Sequence, residues 1–288
     1  MKTHPVLILH GGAGSRLIGS KRAKIYESSL QTILDHVVPR LNRGASALEC
    51  VVEAVRLLEN DPLYNAGRGS KIQSDGKIRM SSALMDGQRR RFSGCVNVER
   101  VKNPILLARA LLNKKDRVLA CQGAQRFARQ AGLQFGSNYT AAQLAEYKNK
   151  KRGKSGTVGA LALDANGHLA AATSTGGRGF EFPYRVSDSP TVAGNFANGH
   201  CAVSATGTGE EIVELAVASS LCTLVEAGVP LAQAASRIFK KAAKDGREFG
   251  MIALDQKGGY HACTTTSSLV WAVAHQGGYS ILGRETKY

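Results

Sequence analysis

The period of the apolar positions changes repeatedly along this chain, and each change marks an element. Between residues 21 and 41, Ile25, Leu30, Ile33, Leu34, Val37 and Val38 recur at the spacing of one helical face. A second amphipathic helix is predicted next. Ser46 is its N-cap, Glu49 occupies the capping-box position, and Val51, Val52, Ala54, Val55 and Leu58 form its apolar side. Further helices are predicted over 105–112, 124–131, 210–227 and from Pro230 to residue 244. Short apolar runs predict strands at 5–10, 77–83, 93–98, 118–120, 201–206, 249–255, 260–265 and 279–282. Residues 157–164 turn at Ala165, Asn166 and Gly167 and return as 168–173, a hairpin pattern. Residues 74–76 give a second turn signal. Strands with helices on both sides, in each half of the chain, predict an α/β (α+β) class and a four-layer αββα sandwich.

One segment breaks the patterning. From about 138 to 156 the chain is polar and lysine-rich, with one short amphipathic piece at 141–147. This composition suits a mobile, protease-accessible linker. Directly after it, Ser155-Gly156-Thr157-Val158-Gly159-Ala160 opens a strand on a threonine. If the bond between Gly156 and Thr157 breaks, Thr157 gains a free α-amine with a pKa of about 8 beside its own hydroxyl. Nucleophile and general base then reside in one residue. A glycine-flanked strand start is the alternative reading of GTVGA alone.

The 288 residues carry a net charge of +16, placed unevenly. Residues 1–156 hold 28 Lys and Arg against 11 Asp and Glu, while 157–288 hold 10 against 11. A basic half with a run at 148–154 raises the question of nucleic acid. The aromatic content of 6%, not interleaved with the cations, argues against a stacking platform. The six cysteines lack metal-ligand spacing and read as buried thiols in a reducing cytoplasm. The N-terminal apolar run is too short for a signal peptide, and no run reaches the length of a membrane span.

Six motifs occur in order: His10-Gly11-Gly12-Ala13-Gly14, Asn65-Ala66-Gly67, Met85-Asp86-Gly87, Ala172-Thr173-Ser174-Thr175-Gly176-Gly177, Arg185-Val186-Ser187-Asp188-Ser189-Pro190 and Ala205-Thr206-Gly207-Thr208-Gly209-Glu210. Each is weak alone. In this order around the GTVGA stretch, they resemble the plant-type asparaginase and isoaspartyl peptidase family of N-terminal-nucleophile hydrolases.

That resemblance implies a single-domain precursor, 1–288, cut between Gly156 and Thr157 into an α subunit (1–156) and a β subunit (157–288). Thr157 is then the nucleophile and Thr175 its neighbour. Thr206 and Gly207 form the oxyanion hole, Arg185 and Asp188 hold the α-carboxylate and α-ammonium of the substrate, and Gly209 lines the pocket. The implied reaction is hydrolysis of L-asparagine and of β-aspartyl dipeptides, without a catalytic metal or redox cofactor. Also implied is a structural sodium (or potassium) ion on the main-chain carbonyls of Leu58, Glu59, Asp61, Tyr64, Ala66 and Arg68, and a homodimer of two-fragment protomers. Tyr184, Ser187 and the stretch from Arg178 to Pro183 depart from the family pattern, which leaves the leaving group open. A glycosylasparaginase-like hydrolase and an uncleaved polyanion-binding scaffold are the competing readings.

Overall fold

The computed structural model describes residues 4–14, 20–149, 156–276, 278–283 and 285–288. In chain order the elements are β1 (Val6–Gly14), α1 (Lys21–Asn42), α2 (Ala47–Asn60), β2 (Met80–Asp86), β3 (Arg91–Val98), α3 (Pro104–Leu111), β4 (Val118–Ala120), α4 (Cys121–Gln130) and α5 (Ala141–Lys148). They continue as β5 (Val158–Leu163), β6 (Leu169–Thr175), β7 (Asn195–Ala197), β8 (Cys201–Gly207), α6 (Gly209–Glu214), α7 (Val217–Glu226), α8 (Leu231–Lys244), β9 (Phe249–Asp255), β10 (Tyr260–Thr264), β11 (Ser268–His275), β12 (Gly278–Ile281) and β13 (Thr286–Lys287). They build an eight-stranded sheet in the order β12-β11-β1-β5-β6-β2-β3-β4 and a five-stranded sheet in the order β13-β10-β9-β8-β7.

The alternation of strand side chains creates the layers. On β1, Leu7 and Leu9 pack against α1 and α2, with Leu30, Leu34, Val51 and Val55. Val6 and Ile8 point the other way, into a layer shared with Ile252, Leu254 and Ala202 of the second sheet. On that second sheet, Val203, Met251 and Ala253 face α7 and α8 through Leu221, Cys222 and Phe239. The result is the four-layer αββα sandwich predicted from the sequence. Burying both faces of both sheets is what makes so many strands unbroken apolar runs.

Helix starts follow local chemistry. The Ser46 hydroxyl accepts from the Glu49 N–H, and the Glu49 carboxylate accepts in return from the Ser46 N–H. Ser20 caps α1 in the same manner, accepting from the Ala23 N–H. Pro230 is itself the N-cap of α8 rather than part of its first turn.

The structure corrects several sequence-based expectations. The helix predicted over 210–227 is two, because Ala216 adopts a left-handed φ of 46°. The break turns α7 so that the Ala218 and Ser219 N–H groups donate to the carbonyls of Ala193 and Val192. The strand expected at 77–83 begins only at Met80 and runs on to Asp86. β11 was not among the predicted strands, although it pairs along its length with β1. The linker expectation fails over its first half. Thr140 caps α5 through a capping box, Gln143 donates to the carbonyls of Arg68 (3.0 Å) and Ser70 (2.5 Å), and Tyr147 stacks on Phe180 with centroids 5.1 Å apart. The remainder of that linker, 150–155, with most of the basic run, lies outside the described residues.

Candidate active site

Strand parity decides which side chains meet at the start of β5. Leu161 and Leu163 face the space between the sheets, so two-residue steps back along the strand bring Thr157 to that face as well. On β6 the same face carries Leu169 and Ala171, and hence Thr173 and Thr175. On β8 it carries Ala202, and hence Ser204 and Thr206. Three threonines from three strands therefore converge between the two sheets.

Their hydroxyls are linked. The Thr157 hydroxyl donates to Thr175 Oγ1 at 3.2 Å, and the Thr157 N–H donates to Thr206 Oγ1, also at 3.2 Å. Ser189 Oγ lies 3.4 Å from Thr157 Oγ1, and the Ala13 N–H reaches Thr206 Oγ1 at 3.3 Å. All four hydroxyl side chains are buried. Behind them His10 Nε2 sits 2.8 Å from Ser204 Oγ, Ser204 Oγ is 2.6 Å from Thr173 Oγ1, and Thr173 donates to Asn195 Oδ1 at 2.9 Å. Burial holds the His10 imidazole near a pKa of about 3, so it stays neutral.

Thr157 and Thr175 open onto a pocket of about 60 Å3 lined also by Gly177, Arg178, Arg185, Ser187, Asp188, Gly207, Gly209 and Glu210. Arg185 is gripped by Glu210 through two bonds, Nε to Oε1 at 2.7 Å and Nη2 to Oε2 at 2.6 Å. Asp188 differs. Its carboxyl is fully buried, Oδ2 has no hydrogen-bond partner among the described residues, and burial raises its pKa to about 7. A buried carboxylate without a partner is costly unless a cation arrives. Gly209 is required at this place, since a Cβ there would sit 2.6 Å from the Ser187 Cβ and 2.7 Å from Asp188 Oδ1.

The predicted residues thus fall into two groups. Thr157, Thr175, Thr206, Gly207, Gly209, Arg185 and Asp188 surround one pocket. Leu58 and Glu59 close α2, and Asp61, Tyr64, Ala66 and Arg68 lie in the loop that follows it, on the other side of β6, joined to it where Ser174 Oγ donates to Glu59 Oε1 at 2.6 Å. Its fit to a hard cation can be judged from two glycines. A Cβ on Gly67 would lie 2.3 Å from the Glu59 carbonyl oxygen, and one on Gly69 would lie 1.8 Å from that of Tyr64 and 2.8 Å from that of Pro62. Of the six carbonyls, those of Glu59 and Tyr64 thus stand against glycines with no side chain in the way, and main-chain carbonyls are the hard donors that sodium or potassium takes.

Some partners were not anticipated. Glu210 holds Arg185, Glu211 accepts from the Glu248 N–H and Glu214 pairs with Arg247. The only sequence signal for Glu210 is its adjacency to Gly209. Ser189 was visible inside the Asp188-Ser189-Pro190 motif without a role. Asn65 bridges to the site by donating to the Gly177 carbonyl while its own carbonyl accepts from the Gly176 N–H at 3.0 Å.

A second cavity of about 360 Å3 lies beyond Gly156. It is lined by Gly11, Gly12, Ala13 and Asn65 together with Tyr26, Tyr64 and Gln143.

The chain is similar to an isoaspartyl peptidase/L-asparaginase of Nostoc sp., with 41% identity covering 96% of this chain and 93% of the relative. It is similar to another so named from Synechocystis sp., with 40% identity over 95% and 88% of the two chains, and to an isoaspartyl peptidase of Escherichia coli, with 36% identity over 88% and 87%. The family model described as Asparaginase matches residues 3–283, and this chain belongs to that family.

Proposed function

We propose that the protein is a self-cleaving amidohydrolase that hydrolyses L-asparagine to aspartate and ammonia, and β-aspartyl dipeptides to aspartate and the released amino acid. The observation that carries this reading is the placement of Thr157. Its N–H and its hydroxyl are held by Thr206 and Thr175, at the floor of a pocket that offers Arg185 and Asp188, whose Oδ2 has no hydrogen-bond partner among the described residues. The names of the relatives point to the same chemistry.

In this reading the precursor, residues 1–288, first cuts itself. Thr157 Oγ1 attacks the Gly156 carbonyl, the peptide C–N bond gives way to an ester, and water releases an α subunit, 1–156, and a β subunit, 157–288. The freed amine stays beside Thr206. In the neutral form it takes the proton of the Thr157 hydroxyl as that oxygen attacks the substrate's side-chain amide. It then returns the proton to the leaving nitrogen, and water hydrolyses the aspartyl ester. Thr206 and the Gly207 N–H stabilise the oxyanion, a type of contact worth about 10²-fold or more. Arg185 takes the α-carboxylate and Asp188 the α-ammonium.

A sodium or potassium ion on the main-chain carbonyls of Leu58, Glu59, Asp61, Tyr64, Ala66 and Arg68 would fix the loop behind β6, and no chemical step passes through it. The working unit is a homodimer of two-fragment protomers acting on small-molecule substrates in the cytoplasm. None of the described helices is long and apolar enough to cross a membrane, and the six cysteines are free, as a reducing compartment would leave them.

The test is intact mass and denaturing electrophoresis of fresh and aged protein, followed by assays with asparagine, β-aspartyl-leucine and a glycosylated asparagine. Fragments beginning at Thr157, with turnover of the first two substrates, support the reading. An uncut, inactive chain overturns it, and turnover of only the glycosylated compound transfers the chain to glycosylasparaginase activity. Light scattering reads the oligomer.

A further inference from the structure

One cation that lines the pocket has no ion-pair partner among the described residues and no assigned contact when an aspartyl group occupies the site. Four charged residues line it: Arg178, Arg185, Asp188 and Glu210. Arg185 and Glu210 pair with one another, and in the reading above Arg185 and Asp188 hold the two ends of the aspartyl unit. Arg178 is left over. Its side chain is exposed, and no acidic group among the described residues forms an ion pair with it. Its charge nevertheless reaches the site. The hydrogen bonds of Arg185, foremost, and the more distant field of Arg178 hold the Glu210 carboxyl down at about 2.

Position fixes what this cation can meet. Arg178 follows Thr175 by three residues. The turn between them is held by the Gly177 N–H donating to Thr175 Oγ1 at 3.2 Å and by Asn65 on the Gly177 carbonyl. It therefore sits at the exposed rim of the pocket that Thr157 opens onto. The leaving group of asparagine is ammonia, which has nothing to offer a guanidinium. The leaving group of a β-aspartyl dipeptide is an amino acid, whose free carboxylate is only two bonds from the scissile nitrogen. An isoaspartyl bond inside a longer chain has a neutral peptide carbonyl at that place.

We propose that Arg178 reads the carboxylate of the leaving amino acid, which makes this site selective for terminal β-aspartyl dipeptides over isoaspartyl bonds inside longer or capped chains. The inference rests on the hydrolase reading above. A guanidinium presents a carboxylate with two parallel donors. At an exposed rim the pairing is worth roughly two- to five-fold in affinity.

The experiment compares kcat and KM for β-aspartyl-leucine and β-aspartyl-leucinamide, which differ only in that carboxylate, using the matured enzyme and its Arg178→Met, Arg178→Lys and Arg178→Glu variants. Intact mass first verifies that each variant is cut. The expected result is a preference of roughly two- to five-fold for the free acid, expressed in KM, abolished in Arg178→Met, kept in part by Arg178→Lys and inverted by Arg178→Glu. Equal turnover of acid and amide by the unaltered enzyme, or a preference that survives Arg178→Met, overturns the role of Arg178 while leaving the hydrolase reading intact. Failure of the cut, unaltered enzyme to turn over either compound overturns both.

Discussion

The two cavities that meet at the Gly156–Thr157 bond are built on opposite plans. On the Thr157 side the pocket is about 60 Å3 and carries four charged residues. On the Gly156 side the space is about 360 Å3, and glycines 11, 12 and 14 expose its backbone wall. The charged side chains that line it, Arg22, Lys71 and Glu146, include a pair already joined, since Lys71 Nζ lies 2.5 Å from Glu146. The small side is suited to a charged amino acid held at both ends. The large side is suited to a length of polypeptide. In the proposed reading Thr157 would face a main-chain carbonyl once and side-chain amides thereafter, two tasks that the contrast between the cavities fits.

Replacing Thr157 with alanine removes what the two sides share. We expect no fragments by mass spectrometry and loss of hydrolysis by about 10⁴-fold or more; an uncut variant that still turns over asparagine would detach the cut from the chemistry.

Asp188→Asn strikes only the small side. Cleavage should proceed, while KM for asparagine should rise by about 10²-fold, as when one member of a buried charge pair is deleted. The sign of the pH effect follows from burial. Asp188 has a folded pKa of about 7 against 3.8 when unfolded. Its protonated form therefore supports the fold fully below pH 4, and that support is lost as pH rises through about 7. The asparagine variant should be the more stable protein at pH 8, on the order of a few kcal/mol, as read by urea denaturation. A substrate ammonium needs the ionised form, so in the unaltered enzyme KM should fall as pH rises through about 7.

The large side is probed by Gly12→Ala. Gly12 has φ +114°, and a Cβ there would stand 2.9 Å from the Gly156 Cα. Maturation should slow by about tenfold, consistent with one or two kcal/mol of overlap and strain. The KM of chains already cut should remain within twofold; a changed KM with a normal cutting rate would reverse the assignment of the two sides. The smallest effect is expected from Gln143→Ala, which releases α5 from the carbonyls of Arg68 and Ser70. A loss of about 1 kcal/mol in denaturant unfolding is expected.

Legibility in the sequence divides along similar lines. Helices α1 and α2 were readable because one face of each is apolar, and Ser46 marked the start of α2. Even the reciprocal Ser46 and Glu49 bonds were visible as a spacing. The break at Ala216 was not, because an alanine gives no warning of a left-handed backbone, and the bonds that compensate come from residues 192 and 193. β11 was missed although its run is apolar, since it lies between two strands that were counted and its partner, β1, is more than 250 residues away in the chain. At the site, the motif order named Thr157, Thr175, Arg185, Asp188 and Thr206 but said nothing of their electrical state. That Arg185 pairs with Glu210 and leaves Asp188 Oδ2 without a hydrogen bond depends on where Glu210 falls once α6 is packed, a distance that no local pattern encodes.

The strand order has a consequence for the lifetime of the matured enzyme. Across the large sheet, β12 and β11 come after Thr157 in the chain, β1 before it, β5 and β6 after it, and β2, β3 and β4 before it. The cut would produce two polypeptides interleaved like the fingers of folded hands, each supplying neighbours to the other. Refolding of the precursor is a first-order event, indifferent to dilution. Refolding of the matured pair is an encounter between two molecules, each lacking half of its own sheet. Once cut, the protein would have given up the means of rebuilding itself, and its persistence would be set by how slowly it comes apart.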